Sequence, residues 1–255
     1  MNLSVVIIVC KEDAAGTERT LQSLAGIGAD ILLYDISSGH VPVEQAARFN
    51  ARYFKGTKES FEIVRYKAAQ LTLYDWVLML HTGEELDQEL RQSLMEFDPG
   101  RRGEIFRIHF KNMFEKRCIR FGGWGDYNPV RLANRHDVQV PDGRINERLF
   151  TRQHLVISWL KGHILHSTVR DKKELAVKTM RKALLAAARY YREGRKFFAH
   201  RLFLSPVAAF FKHYIIKLGF LDGKPGYDCA RMEAWYTFLK YARLMQLRRL
   251  SKKPA

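Results

Sequence analysis

The sequence predicts an α/β fold in which a mostly parallel central sheet is flanked by helices and followed by a basic helical extension. Three short apolar segments, each ended by polar residues, carry this prediction: Leu3–Cys10, Asp30–Tyr34 and Trp76–Leu80. Helical patterns separate these predicted strands, and such alternation is typical of βαβ units with parallel strands. Because ligands bind at the carboxyl ends of the strands in such sheets, we expect a site where the three segments end.

The remaining elements of the first hundred residues follow from local patterns. Apolar positions recur at helical spacing in four segments, which we predict as helices: Thr17–Leu24, Val43–Asn50, Phe61–Thr72 and Leu86–Phe97. Arg52–Phe54 is predicted as a short strand. The turn signal Asp98-Pro99-Gly100 ends this part of the chain.

Beyond residue 100 the pattern changes. Glu104–Phe114 alternates polar and apolar residues, which predicts a strand with one exposed face. Residues 171–194, rich in Lys, Arg, Ala and Leu, predict a helix closed by Gly194. The tail from Phe197 to Leu250 is predicted as helical, with interruptions at Pro206 and at Asp222–Gly226.

Charge divides the chain near residue 100. Residues 1–100 hold 9 Lys and Arg against 15 Asp and Glu, a net charge of −6, whereas residues 101–255 hold 34 against 12, a net charge of +22. A strongly basic half indicates an anionic partner, such as nucleic acid, anionic lipid or a phosphorylated saccharide. We predict one domain over residues 1–170, with halves at 1–100 and 101–170, and a basic helical extension over 171–255.

Several classes of protein are disfavoured by the sequence. The three cysteines are far apart and show no C-x-x-C spacing, so we expect neither a zinc site nor a disulfide framework, and a reducing compartment fits best. We also expect neither a signal peptide nor a transmembrane helix, because the charged n-region and an uncharged apolar stretch of about 18 residues are both missing. Nucleic-acid binding needs only charge and aromatic residues, but no RRM signature or zinc pattern supports it, so no nucleic acid is expected as a partner.

The segment from Asp75 to Leu90 carries the most informative motif. It reads DWVLMLHTGEELDQEL and aligns without gaps to a pattern of the type D-W-V-L-x-L-D-A-D-E-x-x-x-x-E-L. With the order of the predicted strands, it resembles family 2 glycosyltransferases, which are inverting, nucleotide-sugar-dependent enzymes of the GT-A fold. The resemblance implies a GT-A domain over residues 1–170, with a nucleotide-sugar half followed by an acceptor half. The chain departs from the family at the Asp-x-Asp motif, which here reads His81-Thr82-Gly83.

The resemblance implies four residues that contact the nucleotide sugar: Glu12, Asp35, Arg65 and Glu84. Glu12 lies in the first loop, and Asp35 ends the second strand, where an acidic residue accepts hydrogen bonds from uracil or ribose. Arg65 falls in a segment that faces the nucleotide in relatives, and its guanidinium suits a diphosphate. The alternatives are a turn or helix-capping carboxylate for Asp35 and a solvated helical arginine for Arg65.

The family motif also implies a divalent metal ion, Mn²⁺ or Mg²⁺, with His81, Glu84 and His166 as its candidate ligands here. Both ions favour oxygen ligands, and Gly83 supplies no side chain. The sequence is therefore consistent with a weakened metal site and with a site that works without a metal ion. A contact with the diphosphate is the other functional role implied for His166. Purely structural roles also stay open, in which His81 and Glu84 begin the next helix and His166 packs in the core.

Glu147 is the candidate catalytic base. It lies in the segment Asp142–Arg148 and matches the Glu of a His-Glu pair found in the lipopolysaccharide-core subgroup, with Asn146 in place of the His. A carboxylate there can take the proton of the acceptor hydroxyl during in-line attack at the anomeric carbon. A surface charge beside Arg144 or Arg148 is the alternative.

The tail resembles the C-terminal region of the lipopolysaccharide core-type glucosyltransferases, through Phe210–Gly226 and Phe238–Leu244. The implied partners are a nucleoside-diphosphate sugar, with UDP favoured, a lipid-linked or anionic saccharide acceptor, and an anionic membrane. The implied location is cytoplasmic, peripheral on the inner face of a bacterial cytoplasmic membrane. Arg195–Phe220 interleaves apolar and basic residues, which suits a helix in an anionic interface, although packing on the catalytic domain is the alternative.

The altered Asp-x-Asp motif leaves two functional hypotheses. One is an active inverting glycosyltransferase that transfers a sugar to a lipid-linked or cell-surface saccharide. The other is a catalytically degenerate relative that keeps the fold and acts as a binding or scaffold subunit.

Overall fold

A computed structural model describes residues 2–10, 13–37, 43–98, 103–114, 117–123, 128–137, 156–169 and 172–251. The strands are β1 Leu3–Val9, β2 Asp30–Asp35, β3 Arg52–Lys55, β4 Trp76–His81, β5 Glu84–Leu86, β6 Glu104–Phe114, β7 Arg117–Ile119, β8 Val130–Asn134 and β9 Val156–Val169. The α-helices are α1 Ala14–Ser23, α2 Val43–Arg48, α3 Phe61–Gln70, α4 Gln88–Met95, α5 Lys172–Arg192, α6 His200–Phe211 and α7 Lys224–Leu250. Short 3₁₀ turns cover Arg135–Asp137 and Gly219–Asp222, and a π-helical segment covers Lys212–Ile216.

The described strands join in one sheet with the order β3-β2-β1-β4-β8-β6-β9-β5, and β7 pairs with β6. Strands β3, β2, β1 and β4 are parallel to one another, whereas β4–β8, β6–β8, β6–β7 and β5–β9 are antiparallel pairs. The predicted α/β fold class, a central sheet flanked by helices, is therefore confirmed. Its parallel part is formed by the first four strands.

Two apolar layers hold the parallel strands. Every residue of β1 is buried, and its side chains alternate between the layers because successive residues of a strand point to opposite faces. Val5 and Ile7 pack with residues of α1 and α4, whereas Val6 and Ile8 pack with residues of α3. A strand buried on both faces explains why the β1 sequence is continuously apolar.

The chain forms two compact units: Met1–Phe110 with Asn128–His166, and Lys111–Tyr127 with Ser167–Ala255. In the second unit α7 packs against α5 and α6, and a small core contains Phe114, Ile119, Leu175 and Cys229. The Asp222 carboxylate accepts hydrogen bonds from the backbone N–H groups of Arg120 and Phe121. Within the described part of the chain, no helix has the length and hydropathy needed to cross a bilayer.

Several predicted helix boundaries are wrong: α1 begins at Ala14, not at Thr17, and two further differences lie in α4 and in the tail. Glu84–Leu86 forms strand β5 instead of standing at the start of a helix, and α4 begins only after Asp87, whose carboxylate caps it by accepting from the Leu90 N–H. The tail helix also does not break at Pro206, which lies inside α6. No residue of α6 is buried, so water can satisfy the carbonyl that the proline leaves without a backbone donor.

Candidate functional site

The carboxyl ends of β2, β1 and β4 lie side by side, as the sequence predicts. Val9 of β1 is opposite Asp35 of β2, and Ile8 is opposite His81 of β4. Strands β2 and β3 lie on one side of β1 and β4 on the other, so the direction of strand succession reverses between β1 and β4. This reversal point is where open α/β sheets bind ligands.

Backbone hydrogen bonds fix the turn that follows β4. The Thr82 N–H donates to the Ile8 carbonyl at 3.3 Å, and the Gly83 N–H donates to the Thr20 hydroxyl at 3.0 Å. Gly83 has a φ of +83°, a conformation that glycine adopts without a Cβ penalty. The His81 N–H donates to Glu84 Oε2 at 2.9 Å, which closes the turn onto the Glu84 side chain.

A buried ion pair lies behind this turn. Arg131 of β8 donates through Nη2 to Glu84 Oε1 at 2.6 Å, and each side chain is only 2% exposed. Its Nη1 donates to the Met79 carbonyl at 3.3 Å, and its guanidinium lies 5.0 Å from the centre of the Phe110 ring. Charges this deeply buried persist only when they are paired and hydrogen-bonded, so the pair ties β8, β5 and the end of β4 together.

Cationic groups surround His81. Arg65 Nη2 lies 3.3 Å from His81 Nε2, an arrangement in which the neutral imidazole accepts from the guanidinium. Burial, and then the positive charges of Arg131, Arg65 and His166, lower the pKa of His81 well below its ordinary value. His166 of β9 is opposite Glu84, with its Nδ1 3.9 Å from Glu84 Oε1. The structure thus brings together four predicted site residues: Arg65, His81, Glu84 and His166.

This cluster does not fit a divalent metal ion. Both Glu84 oxygens accept hydrogen bonds already, from Arg131 and from the His81 N–H. The ring nitrogen of His81 that faces Arg65 lies beside a cation, and Gly83 has no side chain. Two unit charges of like sign 4 Å apart repel by roughly 4 kcal/mol at the effective dielectric of a protein surface, and a divalent ion doubles this cost. The donor set therefore disfavours the Mn²⁺ or Mg²⁺ considered from the family motif.

Asp35 is a buried carboxylate that other protein groups already surround. Its Oδ1 accepts from the Ser37 N–H at 2.8 Å, and its Oδ2 accepts from Tyr53 Oη at 2.9 Å and from Lys55 Nζ at 2.8 Å. Burial alone would raise the pKa of Asp35, but these hydrogen bonds outweigh burial and lower it. In the structure Asp35 therefore positions Tyr53 and Lys55, and its direct contact with a nucleotide stays a prediction.

Two predicted residues lie outside the described part of the chain: Glu12, in the first loop, and Glu147, the candidate base. Arg131 was not among the predicted site residues. The signal that points to it is an arginine within the otherwise apolar run Val130–Ala133, because a charged residue in a buried strand requires a partner.

A second group of polar side chains serves the fold. Asp87, Glu89 and His163 have potential metal-ligand atoms within 4.8 Å of one another. The Asp87 carboxylate, however, caps α4 and accepts from both the backbone N–H and the ring Nδ1 of His163. These bonds join the start of α4 to β9.

His81 predicts a pH dependence of stability. The pKa of His81 is lower in the folded protein than its ordinary value of about 6.5. Between these two pKa values the unfolded chain binds a proton at His81 more readily than the folded protein does. The unfolding free energy therefore falls as the pH falls below about 6.5. Replacing His81 by Gln removes this proton uptake. We expect the loss in unfolding free energy between pH 7.5 and 5.5, measured by urea titration, to be smaller in the variant by about 1 kcal/mol. Equal losses of unfolding free energy in the two proteins would contradict the lowered pKa of His81. The eight other histidines are present in both proteins, so their contributions cancel in the comparison.

Comparison with known proteins gives only distant similarities. No protein-family model matches the chain. The structure of S. aureus TarS 1-349 has a TM-score of 0.47 at 12% identity and covers 100% of this chain and 93% of that one. The same TarS fragment in complex with UDP gives 0.44 at 12% identity over 100% and 93%, and a longer S. aureus TarS gives 0.44 at 12% identity over 91% and 55%.

Proposed function

We propose that the chain is an inverting glycosyltransferase that moves a sugar from a nucleoside-diphosphate donor, with UDP favoured, to a lipid-linked or lipopolysaccharide-type saccharide. One observation carries the proposal: two guanidinium groups lie at the carboxyl end of β4, beside a neutral histidine. Arg65 and His81 lie 3.3 Å apart there, with Arg131 buried behind them. A diphosphate is the group whose charge and size suit such a cluster at the reversal point of an α/β sheet.

The proposed reaction is a single displacement. The acceptor hydroxyl oxygen attacks the anomeric carbon, and its proton passes to a carboxylate, for which Glu147 is the candidate by family resemblance. The bond between the anomeric carbon and the phosphate oxygen breaks, and its electron pair leaves with the nucleoside diphosphate. Attack opposite to the leaving group inverts the anomeric configuration.

Ligand-dependent stabilisation tests the donor class. The unfolding free energy is measured with UDP, GDP, several UDP- and GDP-sugars and, as a control of similar charge, inorganic pyrophosphate. A nucleotide at 100 times its dissociation constant adds about 2.7 kcal/mol. We expect one nucleoside-diphosphate class to stabilise the protein far more than pyrophosphate does; no stabilisation by any nucleotide would overturn the proposal.

Transfer itself separates the two functional hypotheses. The altered Asp-x-Asp segment, with Glu84 held by Arg131, favours a binding subunit as the second candidate function. A protein that binds a nucleotide sugar yet releases no nucleoside diphosphate, with or without a membrane extract as acceptor, is the degenerate relative. Release of nucleoside diphosphate that depends on the acceptor identifies the active enzyme, and a Glu147→Gln variant should then lose it by about 100-fold or more if that carboxylate is the base.

We further propose that the protein works at the inner face of a bacterial cytoplasmic membrane, docked through the surface of α6 and the segment after it. No residue of α6 is buried, and six large apolar side chains of this surface are 48–75% exposed: Phe203, Leu204, Val207, Phe211, Ile215 and Ile216. Residues 194–221 contain five Lys and Arg and no Asp or Glu. Apolar side chains among basic ones match a bilayer interface with anionic lipid.

Vesicle binding is expected to depend on both kinds of residue. The triple variant Phe203→Ser, Leu204→Ser, Ile216→Ser should lose at least about 10-fold in affinity for vesicles containing anionic lipid, because it removes apolar contact area. Arg201→Glu with Lys212→Glu should lose a similar factor, since each basic residue near such a surface contributes about 1 kcal/mol. Co-sedimentation with vesicles measures both effects.

The matched control is Leu185→Ser on α5, which removes a side chain of similar exposure, 64%, away from the proposed surface. It should bind vesicles like the unmodified protein. If the triple variant also binds normally, or if it changes only the oligomeric state in sedimentation, the surface contacts something other than lipid.

A further inference from the structure

The turn after β4 holds a fixed internal cation. The Arg131 guanidinium contacts Glu84 and the Met79 carbonyl, and the ring of Phe110 lies beside it. Through Glu84 it also reaches the His81 N–H. Arg131 and Glu84 thus organise the end of β4 without any added ion.

Arg65 adds a positive charge on the outer side of this ion pair, beside the neutral His81. Arg65 of α3 and His81 of β4 are partly exposed and lie 3.3 Å apart, and His166 of β9 is also partly exposed. The Nε of Arg131 is buried and has no hydrogen-bond partner among the residues that the structure describes.

We propose, on the premise of the glycosyltransferase function above, that this cluster binds the donor diphosphate without a metal ion. Arg65 pairs with its oxygens, the neutral His81 and His166 border the same site, and Arg131 holds the turn in place through Glu84. In place of the two carboxylates of an Asp-x-Asp motif, the chain has the neutral His81 and Gly83, and the positive charge comes from Arg65.

A positioned guanidinium can stabilise the leaving diphosphate in place of a divalent metal ion. When the bond to the anomeric carbon breaks, negative charge develops on the leaving diphosphate, and stabilising that charge is the work a divalent ion would do. A guanidinium that is already in position stabilises it directly, with no reorganisation as the charge appears. A guanidinium also pairs with two phosphate oxygens at once, which fixes the orientation of the leaving group.

The first test compares nucleotide binding with and without metal. UDP is titrated calorimetrically into the full chain in EDTA, in Mg²⁺ and in Mn²⁺ at the same ionic strength. We expect the three dissociation constants to agree within about 3-fold. Binding that needs Mg²⁺ or Mn²⁺ overturns the metal-free site but leaves the glycosyltransferase proposal standing. Absence of binding by UDP and by every other nucleoside diphosphate overturns both.

The second test assigns the residues. Arg65→Gln should weaken UDP binding at least 10-fold in EDTA, whereas Lys67→Gln, which removes one charge from the same helix, should change it less than about 2-fold. His81→Gln is an independent variant that keeps the backbone N–H to Glu84, and it should weaken binding by several-fold. Thermal melting confirms that each variant is folded. If Arg65→Gln and His81→Gln both bind UDP as tightly as the unmodified protein, the diphosphate lies elsewhere. The same conclusion follows if Lys67→Gln weakens UDP binding as much as Arg65→Gln does.

Discussion

Replacing Glu84 by Ala is expected to destabilise the protein by about 3–5 kcal/mol, because it leaves the Arg131 guanidinium buried without its carboxylate. The loss also removes the acceptor of the His81 N–H. Urea unfolding measures the effect directly. Native stabilities are themselves only about 5–15 kcal/mol, so this variant is expected to be marginally folded at 37 °C.

Glu85→Ala is the matched control in the same strand. Glu85 also pairs with an arginine, Arg19, at 2.9 Å, but the two side chains are 29% and 43% exposed. An exposed pair of this kind contributes about 0–1 kcal/mol to stability. The loss of unfolding free energy should therefore be several-fold larger for Glu84→Ala than for Glu85→Ala. Similar costs at positions 84 and 85 would show that water reaches the Arg131–Glu84 pair.

A double variant separates the charge from the packing. Removing both charges, as Arg131→Met with Glu84→Gln, should recover part of the stability that Glu84→Ala loses, because no buried ion then lacks a partner. Urea unfolding measures the recovery.

The strands that form this edge of the sheet were predictable because their signal is local. Val5–Val9 and Trp76–Leu80 are apolar, β-branched or bulky, and each ends where polar residues begin. The position of His81 at a strand end follows from the same pattern. Such a prediction needs no knowledge of which strand pairs with which.

The chemistry of the edge was not predictable in the same way, because it depends on pairing between distant residues. Arg131 and Glu84 are 47 positions apart, and no local sequence pattern indicates that they form an ion pair. Glu84–Leu86 has no strand signal of its own and becomes β5 by pairing with β9, where Glu84 is opposite His166. For Asp35, the register of β2 and β3 places Lys55 directly opposite, and that contact occupies a carboxylate which the sequence left open for a nucleotide.

Gly162→Ala is expected to cost about 2–4 kcal/mol, the sum of about 1 kcal/mol of backbone strain and about 1–3 kcal/mol of overpacking. Gly162 of β9 has a φ of +92°, and a Cβ there would lie 2.1 Å from the Leu90 nitrogen at the start of α4. The atom it meets is backbone, so the overlap cannot be relieved by turning a side chain. Either α4 or β9 has to move.

Gly28→Ala is the control that isolates the strain. Gly28 has a similar φ of +71°, but a Cβ there would meet nothing within 4 Å, so only about 1 kcal/mol is expected. The difference between the two variants in urea unfolding therefore measures the contact between β9 and α4. Because His166 follows four residues after Gly162 on the same strand, this contact also sets where His166 stands opposite Glu84. If the two variants lose the same unfolding free energy, β9 is able to shift relative to α4. Packing between β9 and α4 then does not fix the position of His166 opposite Glu84.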